Sequence, residues 1–379
     1  MELPFPASRC QGRGAVFLPF MDKKRILASV VVFFILAFLV YLQYRHWRTF
    51  DWRTFWSQTH RVKKLHVLHA VALIYIAYAM RAIRWKIFLR PVRPKTKVAE
   101  LLSPTLIGFT GLALLGRAGE FIRPYLIARR TDLPFSSQLA VWAVERIFDI
   151  GAFAVLMLLA IFLPSALPSI PHPEYYTRFR EAGLLLIGLV AATTVAAVVI
   201  GRKGEGAARW VEERFAHVPS KFGASLGHKL GQKMREFGMG LNTIHGPWSL
   251  LWLTLVSVGM WYIIVLSYQE VTHSYGVDAL EIPVPQLLIV VFSSMLGSML
   301  QLPAVGGGSQ MAVIATLSSV FDVPPEMAAS CGILLWLVTF AAVVPVGLLL
   351  SHHERLSLRK LSEESHHAEE EEMGKPPGM

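Results

Sequence analysis

Long apolar runs constrain this chain more than any other feature of its sequence. A helix needs about 20 apolar residues to cross the hydrocarbon core of a bilayer. Only 17% of the 379 residues are charged and the mean hydropathy is +0.47, whereas soluble domains carry about 25% charged residues. We therefore predict an all-α integral membrane protein built as a polytopic helix bundle. Six runs predict full spans, near 26–42, 65–80, 138–163, 182–200, 249–268 and 329–350.

Two further apolar segments are short and run into glycine-rich breaks. The segment 101–116 leads into a break at 115–120, and the segment 286–302 leads into a break at 303–308. Each break is followed by another apolar stretch, so each region is either a kinked span or a re-entrant hairpin. Irregular backbone at membrane depth must be surrounded by protein or face a wet cavity.

The distribution of basic residues distinguishes hairpins from spans. If both broken segments are hairpins and the N-terminus is cytoplasmic, 28 of the 37 Lys and Arg residues lie on the cytoplasmic side and eight lie outside. Arg146 falls within a span. If each segment crosses once instead, the two sides hold equal numbers. Because cytoplasmic loops carry an excess of Lys and Arg, we predict six full spans, two re-entrant hairpins and cytoplasmic termini.

This topology contains an inverted repeat of about eight hydrophobic segments. The first half, 26–163, and the second half, 182–350, each read span, span, hairpin, span, in opposite orientations. Broken segments in corresponding positions of two halves indicate a midplane substrate site in secondary transporters. The alternative is that Gly and Pro only kink ordinary spans. Residues 1–25 are interpreted as a cytoplasmic leader and 351–379 as a disordered cytoplasmic tail.

Several functional classes are not supported by the sequence. The formal charge is +11, but the basic residues cluster beside apolar spans, so we expect no nucleic-acid binding. The two cysteines, Cys10 and Cys331, predict neither a disulfide framework nor a metal site. The sequence contains no P-loop, HExxH or GxSxG motif. We therefore predict no metal, no cofactor and no enzyme active site.

The first candidate site lies at the first glycine-rich break. Arg117, Glu120 and Arg123 are spaced so that they share one face of a helical segment. Guanidinium groups bind phosphate in a bidentate manner, and backbone N–H groups at such a break are available to an anion. We predict a binding site for a phosphate headgroup here. The alternative is an ion pair that only fixes the hairpin.

The second candidate site lies inside the span 138–163. Glu145 and Asp149 fall on one helix face, and Arg146 reaches Asp149 at a spacing of three. Ionisable residues at membrane depth are costly and indicate function. We predict that these residues line the substrate path and pair with Arg117 or Arg123. A purely structural clamp is the alternative.

The third candidate site, at the second break, has no charge. It consists of Gly306, Gly307, Gly308 and Gln310. Glycines allow a backbone to approach a ligand closely, so this segment is predicted either to contact a headgroup or to act as a hinge.

Residues 115–127, Leu-Gly-Arg-Ala-Gly-Glu-Phe-Ile-Arg-Pro-Tyr-Leu-Ile, resemble a known family signature, PGRxGExxRxxLL. It belongs to the flippase-like transmembrane domain of lysylphosphatidylglycerol synthase, the multiple peptide resistance factor. Residues 81–85, 145–149 and 303–310 also match, and the resemblance covers about 26–350. The chain departs from the family pattern by having Leu115 in place of Pro and Gln310 in place of Glu.

The resemblance implies that 26–350 is a flippase-like domain in the cytoplasmic membrane of a prokaryote. It implies a transporter that binds or translocates a phospholipid or a lipid-linked anionic headgroup. Gln310 weakens the case for a cationic lysyl headgroup. The family's soluble synthase domain has no counterpart in this sequence, so synthase activity is not expected. Two alternatives are a non-catalytic partner of a lipid-synthesis enzyme and a lipid-phosphate transferase with Glu145 or Asp149 as base.

Overall fold

The computed structural model describes residues 51–162, 247–299 and 307–354, together with short pieces between 177 and 232 and residue 364. The chain divides into two compact units, Met1–Trp52 and Arg53–Met379, and the bundle described here belongs to the second. All regular elements in these ranges are helical. The predicted all-α polytopic membrane fold is therefore confirmed.

Ten α-helices account for most of the described residues. They are α1 Trp52–His60, α2 Lys64–Leu89, α3 Val98–Leu115, α4 Ile122–Thr131, α5 Phe135–Phe162, α6 Pro247–His273, α7 Val284–Met299, α8 Gly307–Val320, α9 Pro325–Trp336 and α10 Val344–His353. A 3-10 helix, Gly116–Phe121, joins α3 to α4. A π-helical turn, Leu337–Ala341, joins α9 to α10.

Four helices in the described residues are long and apolar enough to cross a membrane. They are α2, α3, α6 and the continuous stretch Pro325–His353. Helix α5 has 28 residues and is about 42 Å long. The predicted span 26–42 and most of 182–200 lie outside the described residues, so the total of six spans stays a prediction.

At the first glycine-rich break the chain turns back on itself. A Cβ on Gly119 would lie 2.1 Å from the Gly111 carbonyl carbon, and a Cβ on Gly108 would lie 2.4 Å from the Arg123 Cβ. Near the end of α4, Arg130 donates a hydrogen bond to the Glu100 carbonyl at the start of α3 (2.9 Å). The chain therefore folds back, so that the end of α4 lies near the start of α3. Helix α3 is itself long and apolar enough to cross a membrane, so the re-entrant topology of this segment stays a prediction.

Helices α7 and α8 form a second antiparallel pair. A Cβ on Gly297 would lie 2.3 Å from the Gly308 carbonyl oxygen. Farther along, the Thr316 hydroxyl donates to the Ser293 hydroxyl at 2.7 Å. The connecting residues 300–306, which include Gly306, lie outside the described part of the chain.

Helix α2 continues well beyond its predicted end near residue 80. The basic residues after that point interrupt the apolar run, but Ala82, Trp85, Phe88 and Leu89 are all buried. Burial at this helical spacing keeps one face of α2 in the core. Arg81 and Arg84 are therefore helical residues inside the bundle rather than loop charges. Removing two charges from the predicted cytoplasmic side leaves its excess of Lys and Arg in place.

The main core is formed where α2 and α6 pack along each other. Ala70, Met260 and Val265 are fully buried there, and the Ser267 hydroxyl donates to the Ala70 carbonyl at 3.0 Å. Leu68 on α2 is one of many large apolar side chains that are exposed. An outward apolar surface of this kind is typical of a helix bundle whose solvent is lipid.

Helix α1 is short and carries three aromatic side chains. Trp52 and Trp56 are exposed there, whereas Phe55 is buried. This arrangement agrees with a helix that lies at a membrane surface.

Candidate functional site

Six ionisable side chains meet in the interior of the bundle, and we call them the arginine cluster. Its members are Arg81, Arg84, Arg123, Glu145, Arg146 and Asp149. They come from α2, α4 and α5. Arg84 lies about 8 Å from the end of α2, and Glu145 lies about 15 Å from the start of α5. Arg84 and Glu145 therefore lie inside their helices, about one and a half and three turns from the helix ends.

Glu145 is the central acceptor of the cluster and is fully buried. Arg84 donates to its Oε1 through Nη2, and Arg123 donates to its Oε2 through Nη2. Arg123 Nη1 also donates to Oε1 at 3.2 Å. This bidentate geometry is the strongest form of an Arg–carboxylate contact. One carboxylate thus connects helices α2, α4 and α5.

Asp149 connects the cluster to α6. Its Oδ1 accepts hydrogen bonds from Arg84 Nη1 at 2.7 Å and from the Trp261 indole at 3.3 Å. Arg84 Nη1 also donates to the Ser257 hydroxyl at 3.1 Å. The other oxygen, Oδ2, lies 3.6 Å from Arg81 Nη1 and 3.7 Å from Arg146 Nη1. The two halves of the chain therefore meet at this carboxylate.

Aromatic rings support the guanidinium groups. The Arg123 guanidinium carbon lies 4.5 Å from the Trp85 ring centroid and 5.2 Å from that of Phe109. The Arg81 guanidinium carbon lies 5.0 Å from the Phe109 centroid. Cation–π contacts of this kind gain strength when they are shielded from water. They hold the two arginines in place without neutralising their charge.

A small open pocket of about 50 Å³ lies between the first hairpin and α5 and reaches the cluster. Its lining residues are Gly108, Phe109, Leu112, Glu120, Arg123, Trp142 and Arg146. Pockets that enclose a whole ligand usually occupy about 300–1,000 Å³. This pocket therefore has room only for a small polar group, and its wall combines aromatic and charged side chains.

Positive charge exceeds negative charge in the cluster. Four arginines meet two carboxylates, and Glu120 at the pocket wall adds one more negative group. An uncompensated charge taken out of water costs several kcal/mol. A site with this imbalance inside the bundle is chemically suited to an anion, which would lower that cost.

Most of the charged residues predicted from the sequence come together here. Arg123, Glu145, Arg146 and Asp149 belong to the cluster, and Glu120 lines the pocket. The expected pairing of a carboxylate with Arg123 is found at Glu145. The side chain of Arg117 lies outside the described residues. What these residues bind stays a prediction.

The uncharged candidates lie elsewhere. Gly307, Gly308 and Gln310 begin α8 in the second hairpin. Their surroundings are polar but neutral: the Tyr268 hydroxyl donates to Ser294 at 3.0 Å, and the Ser294 and Ser309 hydroxyls are 2.8 Å apart. The two hairpins thus present different chemistry, one charged and one lined with hydroxyl groups.

Arg81 and Arg84 are not among the site residues predicted from the sequence. They appear there only within the segment 81–85, which resembles the family pattern. The available signal was their spacing of three residues beside the buried Trp85, just after an apolar run. Ser257 and Trp261 carried no such signal, because hydroxyl and indole groups are common in membrane helices. Only the tertiary structure brings them to Asp149.

Comparison with known proteins identifies the family. A family model described as lysylphosphatidylglycerol synthase TM region matches residues 25–347. A protein named glycosyltransferase AglD, from Haloferax volcanii, is 36% identical over 87 residues, which is 22% of this chain. The aligned part is 14% of that protein, so this chain spans about a seventh of its length. No solved structure matches the chain at a significant level.

Proposed function

This chain belongs to the lysylphosphatidylglycerol synthase transmembrane-region family, and from that membership and the arginine cluster we propose that it is a flippase-like lipid transporter. In this proposal it binds a phospholipid or lipid-linked anionic headgroup and carries it across the membrane. The family match and the apolar helices establish the coarser statement, a multi-pass membrane protein related to lipid metabolism.

The observation that carries the proposal is the excess of positive charge inside the helix bundle. Three buried guanidinium groups and the partly exposed one of Arg146 share two carboxylates, beside a pocket lined by Arg123 and Arg146. Ionisable groups inside a membrane helix bundle are expensive, and they mark the paths of substrates or ions. The planar fork of an arginine side chain matches the oxygens of a phosphate in a bidentate manner.

The contacts between the two halves favour movement over static binding. The first half supplies every ionisable member of the cluster, and α6 in the second half supplies Ser257 and Trp261. Transporters of inverted-repeat architecture move by rocking one repeat against the other around a fixed site. Asp149, which is bonded from both halves, would sense such a movement.

We further propose that the protein resides in the cytoplasmic membrane of a prokaryote with both termini in the cytoplasm. The excess of Lys and Arg in the predicted cytoplasmic segments supports this orientation. The matched region is the transmembrane region of the family, so we propose transport without synthase activity. A lipid-synthesis enzyme that supplies the cargo is the proposed partner.

A proteoliposome assay tests the proposal. The full chain is reconstituted into vesicles that contain a trace of a fluorescent anionic phospholipid, and lipid in the outer leaflet is quenched chemically over time. We expect faster access of inner-leaflet anionic lipid than in protein-free vesicles. A fluorescent phosphatidylcholine is the matched zwitterionic cargo, and Arg90→Gln, at an exposed residue just beyond α2, is the matched charge control.

Three outcomes are informative. Loss of transport in Arg146→Gln but not in Arg90→Gln supports the cluster as the cargo site. Equal rates with and without protein contradict the transporter proposal. Release of a headgroup product by the purified protein would favour a transferase instead, in line with the name of the partial relative.

A further inference from the structure

The four arginines of the cluster are not held alike. Arg84 and Arg123 donate hydrogen bonds to carboxylate oxygens at distances up to 3.2 Å. Arg81 and Arg146, in contrast, approach the carboxylates only to 3.6–3.9 Å. Hydrogen bonds from N–H to oxygen typically measure 2.7–3.2 Å. The first pair is therefore fixed by hydrogen bonds, and the second pair is attracted mainly by charge.

Unpaired polar atoms collect on the side of the second pair. Among the described residues, Arg81 Nη1, Arg146 Nε and Asp149 Oδ2 are buried and make no hydrogen bond. Arg84 Nε shares this state, but both terminal nitrogens of Arg84 are bound. Buried polar groups in folded proteins almost always have a partner. This edge of the cluster therefore has unused donors that an additional group can satisfy.

The pocket leads to the same edge. Arg146 lines the pocket together with Phe109, and the Arg146 side chain is 43% exposed. The Arg81 guanidinium carbon lies 5.0 Å from the Phe109 ring centroid. Arg123 also lines the pocket, but both of its terminal nitrogens already donate to Glu145. A ligand that enters along Phe109 thus finds donors without a hydrogen bond on Arg81 and Arg146.

We propose that Arg81 and Arg146 are the residues that receive the ligand's phosphate group, while Arg84 and Arg123 form the frame that positions Glu145 and Asp149. This inference rests on the proposed function and assigns separate roles within its site. The phosphate is either that of a lipid headgroup or a free phosphate ion. The phosphate oxygens would accept hydrogen bonds from Arg81 and Arg146, whose guanidinium groups face Asp149 Oδ2.

Asp149 then acts as a built-in competitor of the ligand. Its Oδ2 attracts both receiving arginines from 3.6–3.7 Å and repels an incoming anion. Its Oδ1 is held by Arg84 and Trp261, so the side chain keeps its orientation when only the charge is removed. Asp149→Asn is therefore expected to bind phosphate more tightly than the wild type does.

The experiment is a calorimetric titration of the purified full chain in an uncharged detergent. The probes are dioctanoyl phosphatidic acid, dioctanoyl phosphatidylcholine and inorganic phosphate. Because a hydrogen bond to a charged group is worth more than one tenfold step in affinity, Arg81→Gln and Arg146→Gln should each weaken binding of phosphatidic acid about tenfold or more. Arg90→Gln, which removes an exposed charge, should leave it unchanged, and Asp149→Asn should tighten it several-fold.

Thermal unfolding of each variant separates a folding defect from a binding defect. Arg84→Gln is expected to lower the unfolding temperature, because it breaks the frame. If Arg81→Gln or Arg146→Gln also unfolds early, the Lys variants take their place: they keep the charge, lose the bidentate fork and should bind more weakly at an unchanged unfolding temperature.

The outcomes separate this inference from the proposed function. If the wild type binds phosphatidic acid and both Gln variants bind as Arg90→Gln does, the assignment of Arg81 and Arg146 is wrong and the lipid site remains. If inorganic phosphate binds as tightly as phosphatidic acid, the assignment holds and the lipid cargo is wrong. If the wild type binds no probe, both proposals fall.

Discussion

Replacing Glu145 with Gln tests the hub of the arginine cluster. The substitution keeps the size and shape of the side chain and removes its charge. Arg84 and Arg123 now converge on one carboxylate. The carboxamide of Gln has a single acceptor oxygen, and its NH2 group would face the N–H donors of one of the two arginines. One of the two buried guanidinium groups therefore loses its partner.

The size of the loss follows from the burial of both groups. Removing one partner of a buried ion pair costs about 3–5 kcal/mol, because the remaining charge stays out of water. Hydrogen bonds between neutral side chains in membrane proteins are worth about 0.6 kcal/mol on average. The expected cost for Glu145→Gln is therefore several times that of an ordinary polar contact in a membrane helix bundle.

The measurement is the free energy of unfolding of the full chain in mixed micelles, followed as denaturing detergent is added. Glu281→Gln is the matched control, since the same change is made there at an exposed residue. The double variant with Arg123→Gln should cost less than the sum of the two single variants, because interacting residues are not additive. A loss below about 1 kcal/mol for Glu145→Gln, or strict additivity, would refute the reasoning.

Two further predictions concern the first hairpin and the end of α10. Gly108→Ala should destabilise the protein by about 1–3 kcal/mol, since the new Cβ would lie 2.4 Å from the Arg123 Cβ. The control is Gly188→Ala, where a Cβ meets nothing within 4 Å. Equal unfolding temperatures of the two variants would contradict the close packing at Gly108. Partial burial raises the pKa of the Glu354 carboxyl group, but a hydrogen bond from Arg130 and further contacts outweigh burial, so the pKa lies below its ordinary value of 4.5. The contribution of this carboxylate to stability should therefore be present above pH 4.5. It should be lost as the pH falls through the lowered pKa. Glu354→Gln should abolish that part of the pH dependence in thermal unfolding, and an unchanged pH profile would contradict the contact.

The membrane character and the first hairpin follow from local features of the sequence. Apolar runs define helices because a backbone in lipid must satisfy its own hydrogen bonds. The glycine-rich break at 115–120 indicates a turn. Gly119 in this break has no Cβ, which allows the chain to approach Gly111 closely. The carboxylates of α5 were also identifiable, since their cost at membrane depth makes them conspicuous in an apolar run.

The pairing of the charges was not available from the sequence. Arg84 lies 61 residues from Glu145 and 173 residues from Ser257 along the chain. Its position after an apolar run favoured a loop, because a charged residue normally ends a span. The helix continues instead, since carboxylates from α5 compensate the charge and Trp85 buries its ring beside it.

The sequence alone determined that this protein lies in a membrane, where its helices break and which carboxylates interrupt an apolar run, because each of these depends on neighbours along the chain. The tertiary structure alone decided which arginines those carboxylates hold and which they leave for a ligand. Charge compensation in a low-dielectric interior acts over a few ångströms in space, and residues far apart in the chain are brought within that distance only when the helices pack.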